Sequence, residues 1–505
     1  MAEDVRRLKK ENEALRQRIH LLEQKIDLLV RQIYGPRSEK LDPDQLQLLF
    51  DPDSTKKDDA PSTTDIEQLL AGAPDHKGKR RTPAEARPRI PDNLPVVEEV
   101  IDPPAVRACP QAWRQIGEER SDLLDYRPGR FFCRRIVRRK YVSIADREAA
   151  PVIAELPPKL IEGGKVAPGL LAHIVISKYA DHLPLYRQEK IYESRHDVWL
   201  PRQTQARWIL AAAEWLQPLQ RQMRQEIFAS NYVQADETPI KYLCPGNGKT
   251  KQGYLWAYHV PGGDTIFDWW PGRGTDCLRQ TVPDSFEGIL QCDAYSAYKS
   301  FARERQGIEL AGCMAHARRR FHEALEEAPQ RAAWILRQIA HLYRIEAQLR
   351  EARAGPALRQ SIRQSQSAPI LTRIHRALFR FQATHRHLPQ SLFGKALSYC
   401  LEQWALLTVF VDNGRVEIDN NLTENAIRPT AIGKKNWLFI GDVDAGWRSA
   451  VIYSIIASCR THGIEPFAYL REMFTILPRA TNRQIVALTP KAWAKRKRAA
   501  ELAAA

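Results

Sequence analysis

Three things are scarce in this sequence of 505 residues: paired cysteines, long apolar runs and balancing acids. The eight cysteines (Cys109, Cys133, Cys244, Cys277, Cys292, Cys313, Cys400 and Cys459) are scattered, with no C-x-x-C pair. That excludes a disulfide-stapled scaffold, and with a charged rather than signal-like start it leads us to expect reduced thiols in the cytoplasm. Apolar stretches such as Ala450 to Cys459 fall far short of the ~20 residues needed to span a bilayer, so no membrane anchor is expected. Asp plus Glu number 60 against 76 Lys plus Arg, a net charge of +16, which favours a polyanionic partner and nucleic acid above all. With 44% hydrophobic and 27% charged residues the chain is too apolar for wholesale disorder, and its length predicts several domains.

The opening residues carry two interleaved heptad series, Leu8, Leu15, Leu22, Leu29 and Val5, Asn12, Ile19, Ile26, Ile33. β-Branched residues at a, leucine at d and one Asn at a predict a coiled coil over residues 1–34, pairing as a parallel homodimer, with a helix packed on its own chain as the alternative. Gly35-Pro36 ends it. Residues 35–95 then read as a linker, because Pro, Asp, Lys, Ser and Thr dominate from Asp51 onward. Residues 96–165 read as short strands with a basic run (Arg134, Arg135, Arg138, Arg139, Lys140). Over 166–228 three helical patterns follow, the last two separated by the short turn His196 to Leu200. This is helix-turn-helix-like, with Arg202, Gln203, Gln205 and Arg207 on the opening turns of the third helix, where Arg and Gln can read base edges. An ordinary pair of helices in an all-α domain has the same spacing.

The texture changes at residue 229. Asn231 to Leu243, Gly253 to Val260 and Thr265 to Trp270 predict three consecutive strands, followed by a helix near Thr275 to Gln280, a strand Gly288 to Cys292, and a strand about Ile308 to Cys313. That order matches a ribonuclease-H-like mixed sheet. Asp236 lies on the first of these strands and Asp293 closes the fourth. Neighbouring strands lie about 4.8 Å apart, so two acids remote in sequence can face one site. A third carboxylate comes from Asp419 to Pro429, where helical spacing puts Asn420, Glu424 and Arg428 on one face and Asp419 can cap the helix. Carboxylates of this kind hold hard cations, and two such ions about 3.5–4 Å apart serve phosphodiester cleavage. Any one acid alone fits the capping of a turn equally well. Lys434 and Lys435 precede an apolar segment read as a strand; they hold a DNA backbone or lie in a solvated loop.

Together these motifs resemble the DDE transposases of the bacterial insertion-sequence-66 group: Asp236-Glu237-Thr238-Pro239, Gln291-Cys292-Asp293-Ala294-Tyr295, Gly312-Cys313-Met314-Ala315-His316-Ala317-Arg318-Arg319, and Asp419 to Pro429 continued by Gly433 to Phe439. The resemblance implies a multidomain α+β protein: coiled coil 1–34, linker 35–95, a degenerate zinc-module-like region 96–165, helix-turn-helix-like region 166–228, a ribonuclease-H-like catalytic core 229–445 with an all-α insertion about 322–411, and C-terminal helices with a basic tail 446–505. It puts the metal-binding catalytic triad on Asp236, Asp293 and Glu424 with two Mg²⁺ or Mn²⁺ ions. It adds His316, Arg318, Arg319, Arg428, Lys434 and Lys435 as candidate DNA contacts. The Cys313-x-x-His316 pair resembles a signature of such enzymes that orders the site or contacts DNA; a structural histidine is the rival reading, and as a zinc half-site it lacks a partner pair. Cys109 and Cys133 alone fall short of the four ligands of a structural zinc, so zinc is not expected in region 96–165. The expected partners are the element's terminal inverted repeats, target duplex, a second copy of the chain and small accessory proteins of the same element, in the bacterial nucleoid. A DNA-binding regulator or an inactive relic, binding ends without cutting, is the alternative. A two-carboxylate glycosidase fits neither the basic surplus nor the strand order.

Overall fold

The computed structural model describes residues 129–134, 136, 140–141, 152–153, 158–244, 249–384 and 388–504. The coiled coil expected over 1–34, the linker over 35–95 and most of region 96–165, with Cys109, Arg135, Arg138 and Arg139, lie outside the described residues. Of that region, β1 (Lys140–Tyr141) pairs antiparallel with β2 (Val152–Ile153).

Three helices follow: α1 (Pro168–Tyr179), α2 (Leu185–His196) and α3 (Arg202–Phe228). Pro168 starts α1 because its fixed φ suits the first helical turn and its missing N–H would have no partner there. Asp197, in the left-handed region at φ 51°, stops α2 and turns the chain into α3. The three helices expected from the sequence are therefore present with nearly the expected bounds.

The sheet comprises β3 (Tyr232–Leu243), β4 (Thr250–His259), β5 (Thr265–Trp270), β6 (Gly288–Gln291) and β7 (Ile308–Ala311), with α4 (Thr275–Thr281) before β6 and α5 (Ser296–Glu304) before β7. Its spatial order is β5-β4-β3-β6-β7. The β5-β4-β3 hairpins are antiparallel, and β6 and β7 run parallel to β3. Gly288 makes the β3–β6 register possible. At φ 138° a Cβ there would lie 2.1 Å from the Asn231 carbonyl oxygen, which accepts the next N–H, that of Ile289, at 2.8 Å.

Successive residues of a strand face opposite sides. Val233, Ala235 and Leu290 pack into the core shared with α1, α3 and the C-terminal helices α13 (Gly446–Thr461) and α14 (Pro466–Ile476), and α15 (Asn482–Leu488) and α16 (Pro490–Ala504) complete that group. Tyr232, Ile289 and Ala311 instead join a second core built largely by the helical insertion. Helix α13 also covers the free edge of β5, since Ser454 Oγ accepts from Phe267 N at 2.8 Å and Ser458 Oγ from Thr265 N at 2.9 Å.

After β7, α6 (Met314–Glu323) leads into the insertion: α7 (Pro329–Glu351), α8 (Pro356–Ile362), a π-helical turn (Arg363–Ser367), α9 (Ala368–Ala383), α10 (Leu392–Glu402) and α11 (Trp404–Asp412). Gln403 separates α10 from α11 as the C-cap of the former. Then comes α12 (Asn421–Trp437). Here the structure corrects the sequence reading. Lys434 and Lys435 form the last turn of α12 rather than a loop before a strand, and the aromatic and β-branched run Trp437 to Ile440 makes only one bridge, Ile440 with Tyr242. A tight turn accounts for this: Leu438, at φ 65° and ψ −47°, lets Phe439 N reach Trp437 O at 2.8 Å. None of the described helices is long and apolar enough to cross a membrane.

Candidate active site

The acids converge because two buried glutamines staple three segments together. Gln234 on β3 pairs in register with Gln291 on β6. Asp236 and Asp293 each lie two residues further on, Asp236 still on β3 and Asp293 just past the carboxyl end of its neighbour β6. Gln234 Nε2 donates to Gln291 Oε1 at 2.9 Å and to the Asp419 carbonyl at 3.0 Å, and its Oε1 accepts from Thr423 Oγ1 at 3.2 Å. Gln291 Nε2 donates to the carbonyls of Glu417 at 2.8 Å and Gly312 at 2.9 Å. The chain that leads into α12 is thereby fixed over the two acid-bearing strands. Asp419 does not cap that helix as expected: Asn420 holds the N-cap position without a side-chain bond, and Asp419, one residue earlier, accepts from Asn421 N at 3.1 Å and from the Tyr343 hydroxyl at 2.6 Å.

Asp236 is half-buried and its carboxyl is held well above the usual carboxylate range, first by burial and then by the like charges of Glu237, Glu424 and Asp293. Asp236 Oδ1 accepts from Glu237 N at 2.9 Å, and Asp293 Oδ1 accepts from Tyr295 N at 2.9 Å across Ala294, whose φ of 63° turns the chain into α5. Glu424 Oε2 lies 3.9 Å from an Arg319 guanidinium nitrogen, and its Oε1 lies 3.9 Å from His316 Nδ1. Burial lowers the His316 pKa, while Glu424 and Asp293 pull it upward.

Two participants were missed by sequence reasoning. The Glu237 carboxylate is fully buried; it accepts from Tyr298 at 2.7 Å and pairs with Arg273. Arg273 also reaches Asp293 Oδ2 at 3.5 Å and lies 3.8 Å over the Tyr295 ring. Nothing in Pro271-Gly272-Arg273-Gly274 separates this arginine from any loop cation. Its cation opposes the burial that raises the Glu237 carboxyl. Replacing Arg273 with Gln should therefore raise the acid limb of any carboxylate-dependent activity by about one pH unit, with Lys restoring part of the shift. A pH–rate profile measures this, and an unmoved limb would reduce Arg273 to packing.

The other expected contacts divide. Arg202, Gln203 and Arg207 are exposed on α3, Arg319 and Arg428 are exposed on α6 and α12, and Arg318 and His316 are half-buried. Lys434 Nζ is tied to β3, donating to Thr238 Oγ1 at 3.2 Å and Pro239 O at 2.9 Å, while Lys435 is exposed. Gln205 is a correction. It is fully buried, and its amide donates to Leu200 O at 2.9 Å, so it shapes the turn before α3 and does not reach a groove. A further departure concerns Cys313 and His316: α12 delivers Glu424 beside them, a third potential ligand that sequence spacing did not reveal.

The family model described as "Transposase IS66 family" matches residues 163–447, that described as "Transposase C of IS166 homeodomain" matches 21–98, and the "IS66 C-terminal element" matches 454–490. The second of these spans the whole stretch 35–95 expected to be a linker. Among curated proteins, the chain is similar to the uncharacterized protein y4jD of Sinorhizobium fredii, 33% identical over 497 residues covering 94% of each chain. It is also similar to the uncharacterized protein y4qI of the same organism, 34% identical over 501 residues covering 94% of this chain and 89% of that one.

Proposed function

Because the chain belongs to the IS66 transposase family, we propose that it binds the terminal inverted repeats of its own element and cuts and joins DNA strands at Asp236, Asp293 and Glu424. The sheet order β5-β4-β3-β6-β7 supports a ribonuclease-H-like core. The observation that supports the reading is the Gln234–Gln291 register, with Asp236 on β3 and Asp293 just past the end of β6, together with the glutamine bonds to the segment that enters the helix of Glu424.

Whether these residues suit hard divalent ions can be judged from their own chemistry. Glu237, Asp293 and Glu424 all act on Asp236 as like charges, Arg273 offsets Glu237 and Asp293, an exposed Arg319 lies 3.9 Å from Glu424, and Glu424 Oε1 is buried without a hydrogen-bond partner. An oxygen-rich, under-neutralised cluster of this kind fits Mg²⁺ or Mn²⁺. When bound by Asp236, Asp293 and Glu424, two such ions supply activation of the attacking hydroxyl and stabilisation of the leaving 3′ oxygen. The protein's part is placement. The glutamine staple fixes the acids before substrate arrives, and Arg319 and Arg428 offer positive charge to the scissile backbone from either side of Glu424. Arg202, Gln203 and Arg207 form the exposed face that meets the inverted repeat, and the heptads of residues 1–34 pair two copies, one for each end of the element.

Labelled element ends incubated with the full chain and Mg²⁺ test the reading. The wild type should nick them at the element's 3′ ends. Glu424→Gln should retain the gel shift and lose nicking by at least about 10³-fold, several kcal/mol of transition-state stabilisation. A shift without nicking in the wild type would identify a regulator or an inactive relic.

A further inference from the structure

We propose that Cys313, His316 and Glu424 form a site for one thiophilic divalent cation of the Zn²⁺ class. Cys313 caps α6, and His316 follows in its first turn, so the i, i+3 spacing puts thiol and imidazole on one side of the helix. Glu424 comes from the first turn of α12. One sulfur, one ring nitrogen and one carboxylate oxygen from these residues all lie within 4.8 Å of one another.

The polar atoms gathered there are unpartnered. His316 Nδ1 and Glu424 Oε1, 3.9 Å apart, are buried and make no hydrogen bond. Asn420, one helical turn before Glu424 and with its backbone N–H directed at the Cys313 sulfur, is fully buried with both amide atoms unsatisfied. Buried polar atoms are nearly always paired, so four orphans in one place point to a missing ligand.

A tetrahedral ion bound at about 2.0–2.3 Å spaces its ligand atoms roughly 3.3–3.8 Å apart, and side-chain rotations of about 1 Å close the observed distances to that range. Sulfur, nitrogen and oxygen from three residues, with the fourth position open, suit zinc. A thiol is not a ligand for Mg²⁺, so this ion is distinct from the hard cations of the acid cluster and shares only Glu424 with them. That sharing has a consequence, which rests on the transposase reading while the site itself does not: an ion held here draws Glu424 away from Asp236 and Asp293 and silences cutting.

Titrating the metal-stripped full chain with Co²⁺ tests the site. One equivalent should produce a near-ultraviolet thiolate-to-cobalt absorption band that Zn²⁺ abolishes by displacement. Cys313→Ser should lose the band, while His316→Ala and Glu424→Gln should weaken binding about tenfold or more. Should Cys313→Ser fail to fold by circular dichroism, the other two variants decide. No band in the wild type, a band unchanged in Cys313→Ser, or undiminished affinity in both other variants would overturn the proposal. Nicking in Mg²⁺ alone is read separately. Its presence without a cobalt band would remove this site and leave the transposase reading standing.

Discussion

Asp236→Asn is expected to abolish strand cleavage and, in the same molecule, to raise the melting temperature of the metal-free protein. Both effects come from one cause. The carboxyl of Asp236 is desolvated and faces Glu237, Glu424 and Asp293, so ionising it costs free energy that only a bound cation offsets. The asparagine keeps an oxygen to accept from Glu237 N, so the local hydrogen bond survives. Removing the charge should stabilise the apo protein by about 1–2 kcal/mol near neutral pH, and cleavage should fall by at least about 10³-fold. The pH dependence follows from the sign of the shift. A carboxyl whose folded pKa is raised contributes stability that is fully present below its unfolded value of about 3.9 and is lost as pH rises through the folded value. The melting temperatures of wild type and variant should therefore agree in acid and diverge as pH increases. Adding Mg²⁺ should narrow the gap by stabilising the wild type alone. Coincident melting curves at every pH would refute the crowding argument, and surviving cleavage would refute the assignment of Asp236.

The second large effect lies outside the acid cluster. Arg363, fully buried in the π-helical turn, donates from Nε and one terminal nitrogen to Glu346, both at 2.7 Å. Its other terminal nitrogen donates to the carbonyls of Phe410 and Val416 at 2.8 Å and of Asn413 at 3.2 Å. Arg363→Met strands the Glu346 charge in a core with only a 3.3 Å contact to Arg359, at a cost of about 3–5 kcal/mol. The melting temperature should drop by about 10 °C. Because the freed carbonyls belong to the chain entering α12, cleavage should also weaken well below that temperature. The double replacement Glu346→Leu, Arg363→Met should recover much of the stability, since it removes the unpaired charge. A single variant that melts within about 2 °C of wild type would mean that the ion pair is peripheral.

Much of the sheet was legible because its signals are local. β-Branched and aromatic runs separated by Gly and Pro gave all five strands of β3 to β7 within a few residues, and their order gave the topology. Asp236 lies on the first of those strands as expected, whereas Asp293 falls just past the end of β6. What brings them together was not legible. Gln234 and Gln291 look like any polar residues in a strand, and only the fold reveals that they bind the carbonyls of a segment beyond the insertion. Arg363 and Arg273 were equally silent, since a buried or bridging arginine carries no mark in sequence. Gln205 was misread because helical position alone does not say which side of α3 meets the core. The run Trp437 to Ile440 has strand composition but follows a tight turn, so its pairing was overestimated.

The acid cluster is assembled in an order dictated by the ribosome. Glu424 follows Asp293 only after the whole insertion has been translated, and at bacterial synthesis rates that delay is on the order of ten seconds. Until α12 emerges, a nascent chain carries Asp236 and Asp293 without Glu424. Translation itself acts as a timer, and any premature stop within α7 to α11 yields a polypeptide lacking its third acid.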